Sequence, residues 1–303
     1  MRISSLLLTA LWGVGLALSA TAIPSQALDA PATSGVAVGS QYDTTHVYVA
    51  PTDVDRFVQS FLATFGGQTT KQGVAQVTPT PSSTTTQLLQ TPVGTVSLFG
   101  FKTPIPRPFG DERTGYLVKD MDVALRAARA AGADVIVTAF PDPIGRDAVI
   151  QWPGGVNMQL YWHTTPPNYA AFQTVPENRV YVSPDRADTF VHSFVAFSHG
   201  KVVSDNPHAP GIEIGRASDT FRRIRIESPF GKMSVQVTDG HLPWPYGHEM
   251  TGYEVANLAD TLAKAKASGA NVLVEPYAAD GRQIAIVSFP GGYVAEIHAA
   301  TGQ

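Results

Sequence analysis

The chain of 303 residues contains no cysteine. Disulfides, thiol nucleophiles and thiolate metal sites are therefore excluded. Charge is also scarce: 21 Lys and Arg against 25 Asp and Glu leave a formal net charge of −4. No clustered basic face is evident, so nucleic acid is not an expected partner. Arg222, Arg223 and Arg225 in R-R-I-R read as an exposed strand edge. Long apolar runs are missing too, with one exception. Leu6–Leu18 follows Arg2 and leads to A-T-A, ending at Ala22, and S-Q-A, ending at Ala27. A basic start, a short apolar core and small-residue sites describe a secretory signal peptide, expected over residues 1–27. The run is shorter than the ~20 residues a spanning helix needs. The expected location is secreted or periplasmic, with no membrane association after cleavage; an uncleaved anchor is the alternative.

What is present is a duplication. T-H-V-Y-V-A-P-T-D-V-D-R-F-V-Q-S-F (Thr45–Phe61) returns as N-R-V-Y-V-S-P-D-R-A-D-T-F-V-H-S-F (Asn178–Phe194). T-G-Y-L-V-K-D-M-D-V-A-L (Thr114–Leu125) returns as T-G-Y-E-V-A-N-L-A-D-T-L (Thr251–Leu262). W-P-G-G-V-N-M-Q-L-Y (Trp152–Tyr161) returns as F-P-G-G-Y-V-A-E-I-H (Phe289–His298). Segments that recur in one order mark a repeated structural unit. Within repeat one, an alternating strand at His46–Ala50 precedes a helix with Val54, Phe57, Val58, Phe61 and Phe65 on one face, closed by Gly66-Gly67. A Thr/Ser/Pro-rich loop is expected over Thr78–Thr86, then strands flanking P-V-G, with Thr95–Phe101 the clearer. A strand at Gly115–Val118 leads to a helix at Met121–Ala131, and strands near Val135, Ala148 and Asn157 follow. Each repeat thus reads as β-α-β-β-β twice over.

Paired βαβββ modules closed by P-G-G-Y-x-x-E resemble the vicinal oxygen chelate superfamily of glyoxalase I, bleomycin- and fosfomycin-resistance proteins and extradiol dioxygenases. The resemblance covers nearly everything after Gln41. It implies an α+β fold, four βαβββ modules forming two glyoxalase-like domains with cup-shaped mixed sheets. The first domain would span 42–163, a linker 164–172 and the second domain 173–303. The family's metal ligands face inward from the first, fourth, fifth and eighth strands. The matching first-strand residues are His46 and Arg179, and the eighth-strand residues are Gln159 and Glu296. The fifth-strand slot falls on Arg113 and Met250, with Asp111 and His248 two residues earlier. Neither repeat alone holds a complete set. A crossed pairing, the first half of repeat one closing on the second half of repeat two, would collect His46, His248 and Glu296. Two imidazoles and a carboxylate suit Fe, Ni, Zn or Mn.

Two functions follow from the resemblance. One is a metal-dependent lyase or isomerase, or an extradiol-type dioxygenase, on a small oxygen-bearing substrate, with Tyr48, Arg179 and Tyr181 as substrate contacts. The other is a metal-free protein that sequesters a small molecule in clefts lined by Tyr48, Phe99, Tyr181 and Trp162. The residues themselves leave plainer roles open: a cavity-lining His46, a salt-bridged Glu296, a surface His248 and a rim His298. Glu249 and Tyr253 read as packing, Trp244 and Tyr246 as a lid or a stiff surface loop. His192, His199, His208 and His241 read as solvated. Fused repeats are consistent with a monomer or a homodimer.

Overall fold

The computed structural model describes residues 35–301, a single compact body. The expected signal segment lies outside the described residues. Among the described residues no helix is long and apolar enough to cross a membrane.

Repeat one runs β1 (Thr44–Tyr48), α1 (Val54–Phe65), β2 (Gln68–Thr69), β3 (Gly73–Ala75), β4 (Thr84–Thr91) and β5 (Gly94–Phe101). It continues with β6 (Thr114–Leu117), α2 (Met121–Ala130), β7 (Asp134–Asp142), β8 (Gly145–Gln151) and β9 (Asn157–His163). Repeat two runs β10 (Glu177–Val182), α3 (Ala187–Ser198), β11 (Lys201–Pro210), β12 (Thr220–Ser228) and β13 (Gly231–Val237). It ends with β14 (Met250–Glu254), α4 (Leu258–Ala267), β15 (Asn271–Ala279), β16 (Arg282–Ser288) and β17 (Val294–Ala300). The Thr/Ser-rich loop is shorter than its composition suggests. Thr84–Thr86 joins β4, because it pairs with Phe99–Phe101 on one side and β3 on the other.

Local chemistry sets the helix bounds. Asp120 caps α2 by accepting the Val123 N–H at 2.8 Å, and Asn257 caps α4 through the Asp260 N–H at 3.0 Å. α1 stops at Gly66, whose φ of 76° lets its N–H return to the Leu62 carbonyl at 2.8 Å.

Each repeat closes its own sheet. The order is β2-β4-β5-β1-β6-β9-β8-β7 in the first and β11-β12-β13-β10-β14-β17-β16-β15 in the second. β1 pairs in parallel with β5 and antiparallel with β6; β10 does the same with β13 and β14. The sheets are mixed and curl so that one face lines a cup. Alternation then assigns the residues of the regular strands, while the β11–β12, β15–β16 and β7–β8 pairs carry register shifts that interrupt it. His46 faces the first cup while its neighbour Val47 faces the helices.

The halves do cross, but on the outer faces. α1 and α4 share one core, in which Phe61 meets Phe289 at 5.2 Å between ring centres. α2 and α3 bound the other, where Trp152 packs on Phe197 at 5.2 Å. The crossed pairing expected from the sequence therefore unites helices and apolar strand faces, not cups.

A polar seam runs between these cores at matching repeat positions. Thr45 and Thr251 hydroxyls lie 3.1 Å apart. Asn178 Nδ2 donates to Glu249 Oε1 at 2.8 Å and to Tyr116 Oη at 3.1 Å. Glu249 thus belongs to the seam and not to apolar packing. Tyr253 is fully buried, with its hydroxyl 2.9 Å from that of Tyr293.

Burial pushes the Glu249 carboxyl up to about 7, against the pull of Asn178 and Arg113. The folded chain therefore holds more protons than the unfolded chain between the ordinary glutamate range and pH 7. Stability from this group is full below that range and is lost as pH rises through about 7. Glu249→Gln should flatten the loss of Tm between pH 5 and pH 8, checked by thermal melts across that range. The slope from one proton cannot exceed about 1.4 kcal/mol per pH unit.

Candidate functional site

The two cups put different residues at matching positions. In the first, Gly115 of β6 pairs with Thr44 of β1 on one side and Gln159 of β9 on the other. A Cβ at Gly115 would lie 2.5 Å from His46 Nε2, so glycine is what lets the imidazole lie over this strand. In the second, Gly252 of β14 sits between Glu177 of β10 and Glu296 of β17. Arg179 takes the place of His46, and Glu296 that of Gln159.

The second cup is filled by charge. The Arg179 guanidinium bonds Glu296 Oε2 directly, and Arg179 Nη2 donates to the Glu213 carbonyl at 2.9 Å. His298 Nδ1 is 3.0 Å from Glu296 Oε1. Burial, with the Arg282 charge, depresses His298 to about 4, so at neutral pH it is an uncharged partner. Arg223 Nη1 donates to Glu213 Oε2 at 2.7 Å, and Arg223 Nη2 is 3.0 Å from Asp280. Arg282 Nη1 donates to Glu177 Oε1 at 3.2 Å. Burial raises Glu177, but Arg282 and Arg225 more than offset it and hold its carboxyl low. Arg179, Arg223, Glu296 and His298 are all buried. His298 is therefore no rim residue. In R-R-I-R only Arg222 faces outward, to Asp188 and Asp205; Arg223 and Arg225 point into the cup. Tyr181 packs against Ala209, Ile214 and Phe221 in this same cup.

The first cup encloses a cavity of about 480 Å³. One side is aromatic, with Tyr48, Phe99, Phe101 and Phe109. The floor is polar, with His46, Ser97, Asp147 and Gln159. Phe99 meets the His46 ring edge-on at 5.3 Å. Behind His46 lies Glu112, fully buried, with Oε1 3.6 Å from His46 Nδ1. The Tyr48 hydroxyl donates to that same oxygen. Gln159 Nε2 donates to Asp147 Oδ2 at 3.0 Å. Burial, aided by Asp142 and Glu112, holds the Asp147 carboxyl well above its usual range and favours its protonated form.

The residues expected to hold a metal are not brought together. His46 is in the first cup and Glu296 in the second, because backbone pairing closes each sheet within one repeat. His248 is in neither cup. It is half-buried in a separate cleft of about 330 Å³ with Arg113, Glu249 and Tyr293, under an exposed Trp244 stacked on its ring at 5.6 Å. Burial and Arg113 lower its pKa. Asp111 pairs with Arg107 at 2.9 Å near the surface. Of the expected substrate contacts, Tyr48 lines the open cavity, while Arg179 and Tyr181 sit in the filled cup. Trp162 packs against the outer core and lines neither.

Two residues of the first cup escaped the sequence reading. Glu112 had a signal, since E-x-T-G-Y occurs in both repeats, at Glu112 and Glu249. Asp147 had another: it interrupts an apolar strand where repeat two has Ile284.

No family model and no curated protein matches the chain. Solved structures do. A triple variant of 4-hydroxymandelate synthase from Streptomyces coelicolor is 12% identical, over 88% of this chain and 94% of that one, with TM-score 0.57. 2,2',3-Trihydroxybiphenyl 1,2-dioxygenase from Sphingomonas wittichii is 14% identical over 86% and 91%, with TM-score 0.53. An Mn(II)-bound glyoxalase from Novosphingobium aromaticivorans is 14% identical over 87% and 82%, with TM-score 0.50. The fold is the two-domain vicinal oxygen chelate fold.

A divalent metal does not suit the donors at these positions. In the second cup a guanidinium already neutralises Glu296, and an arginine cannot ligate. In the first, an imidazole and a carboxamide face each other, with Arg113 at the fifth-strand slot. Among the described residues no three His, Asp or Glu side chains are grouped to hold an ion.

Arg179→Met should leave Glu296 buried without its cation and cost about 3–5 kcal/mol in urea unfolding. Arg179→Met with Glu296→Leu should recover most of that loss, because both charges are then gone.

Proposed function

We propose that the first cup binds a small, flat, largely aromatic molecule bearing a hydrogen-bonding group, without a resident metal. The carrying observation is the contrast between the cups. The same fold positions hold a charge-filled interior in repeat two and a cavity of about 480 Å³ in repeat one. That volume lies within the range of small-molecule sites, as does the pattern of an apolar wall with few convergent polar groups. Tyr48, Phe99, Phe101 and Phe109 supply faces and edges for ring packing. His46, Ser97, Gln159 and Asp147 offer hydrogen bonds at the floor, and Lys71 and Asp142, of opposite charge, line the same cavity. A neutral or weakly acidic ring compound fits this lining better than a cation or a phosphate. Residues 1–27 support export, so the ligand would be met outside the cytoplasm.

The metal-dependent alternative is carried by the neighbours, one of them an Mn(II)-bound glyoxalase. The donors of this chain do not favour it.

Ser97→Trp should fill the cavity from its floor. Ligand-observed NMR with a panel of substituted phenols and nitroarenes should show binding to the native chain and at least about tenfold weaker binding to the variant. Elemental analysis after incubation with Fe, Mn, Ni and Zn should find no stoichiometric ion. One tightly held equivalent, lost in His46→Ala, would sink the metal-free reading.

A further inference from the structure

The polar floor of the first cup contains more than a binding site needs. Glu112 is completely buried and does not line the cavity. A carboxylate is costly to bury, and among the described residues its Oε2 has no partner. Its other oxygen is held by Tyr48 and lies 3.6 Å from His46 Nδ1, longer than a hydrogen bond; Nδ1 is itself buried and has no hydrogen-bond partner among the described residues. A carboxylate behind an imidazole orients the ring and favours a proton on the near nitrogen. The far nitrogen is then a lone pair. That nitrogen lies over Gly115, the one position in this strand where no side chain covers it. On the other side of Gly115 stands Gln159, whose amide fixes one oxygen of Asp147. The β1 and β9 strands flank β6, so their backbones are about two strand spacings, roughly 10 Å, apart. The imidazole reaches into that gap from one side and the Gln159–Asp147 pair from the other. His46, Gln159 and Asp147 all line the same cavity.

We propose that His46 is a general base acting on the ligand of the first cup, with Glu112 as its positioning residue and Asp147 as the acid on the opposite side. The proposal rests on the first cup being the ligand site. The chemistry is a metal-free proton shift on a small conjugated carbonyl compound. His46 Nε2 takes a proton from a carbon next to the carbonyl. The C–H electron pair forms a C=C bond, the carbonyl π pair moves to oxygen, and Asp147 gives that oxygen its proton. His46 and Asp147 return to their starting states by exchange with solvent, so no oxidant, reductant or second substrate is consumed. Burial of Asp147 suits it to the donor role. In repeat two the same positions are Arg179 and Glu296, locked to each other, and Asp147 is replaced by Ile284. The activity belongs to the first cup alone.

The test uses a probe that reports a base in an aromatic cavity whatever the natural ligand. 5-Nitrobenzisoxazole loses its C3 proton to a base; the electron pair forms the C≡N bond, the N–O bond breaks, and a coloured cyanonitrophenolate leaves. The full chain should turn it over saturably, with a primary isotope effect for the C3-deuterated probe. His46→Gln should lower kcat by about 10²–10⁴-fold, the usual range for a general base, with KM nearly unchanged. Glu112→Gln should lower kcat with KM unchanged and should shift the His46 tautomer seen in long-range ¹H–¹⁵N NMR correlations, which a purely packing role would not move. Binding of the unreactive analogue 5-nitrobenzimidazole is measured in parallel. If the analogue binds and His46→Gln turns over the probe as fast as the native chain, the base assignment is overturned while the ligand site stands. If neither analogue nor probe binds the native chain, the reading of the cup fails, and this proposal with it.

Discussion

The antiparallel pairing of β1 with β6, and of β10 with β14, closes each sheet inside its own repeat. Every residue on a cup face must therefore find its partners within that repeat. An anion at Glu296 cannot be answered by an imidazole at His46, because the two lie in different sheets. It needs a cation from the strand across the glycine floor, and Arg179 is that cation. Where the eighth-strand residue is the neutral Gln159, no cation is required, and His46 is left facing a cavity.

Charge satisfaction explains most of what distinguishes the two halves. Once Arg179 and Glu296 are paired, Arg223, Arg225 and Arg282 are held by Glu213, Asp280 and Glu177. Such an interior is not a large source of stability, since desolvation offsets much of the attraction. It does fix the side chains and leaves little room for a ligand. The first cup spends its polar groups differently. Its buried acid, Glu112, stands behind the wall, and its floor carries groups that can each donate or accept.

The seam between the repeats has the same logic at lower charge. Helices from opposite halves meet through phenylalanine and leucine, and the strip between them is closed by hydroxyls, Asn178 and Glu249. A carboxyl held near neutrality there is tolerable because its protonated form is an ordinary hydrogen-bonding group. Were it an anion at all pH values, the seam would need a cation as the second cup does.

The duplication, the βαβββ order and the fold class were legible in the residues, because periodicity, capping residues and Pro-Gly-Gly turns are local signals. Of the aromatic residues that the resemblance placed in a cleft, Tyr48 and Phe99 line the cavity, whereas Tyr181 and Trp162 do not. What no local pattern could decide was which half closes on which. The same strands can be joined within a repeat or across repeats, and only the register of β1 with β6 chooses. That choice separated His46 from Glu296 and sent His248 to a third place under Trp244, while alternation along β12 turned Arg223 and Arg225 inward and left Arg222 outside. It also brought Glu112 behind His46 through a loop whose path alternation does not govern. The sequence determined what each strand is made of; the tertiary structure decided which strands share a cup, because backbone hydrogen bonds carry no record of the side chains they bring together.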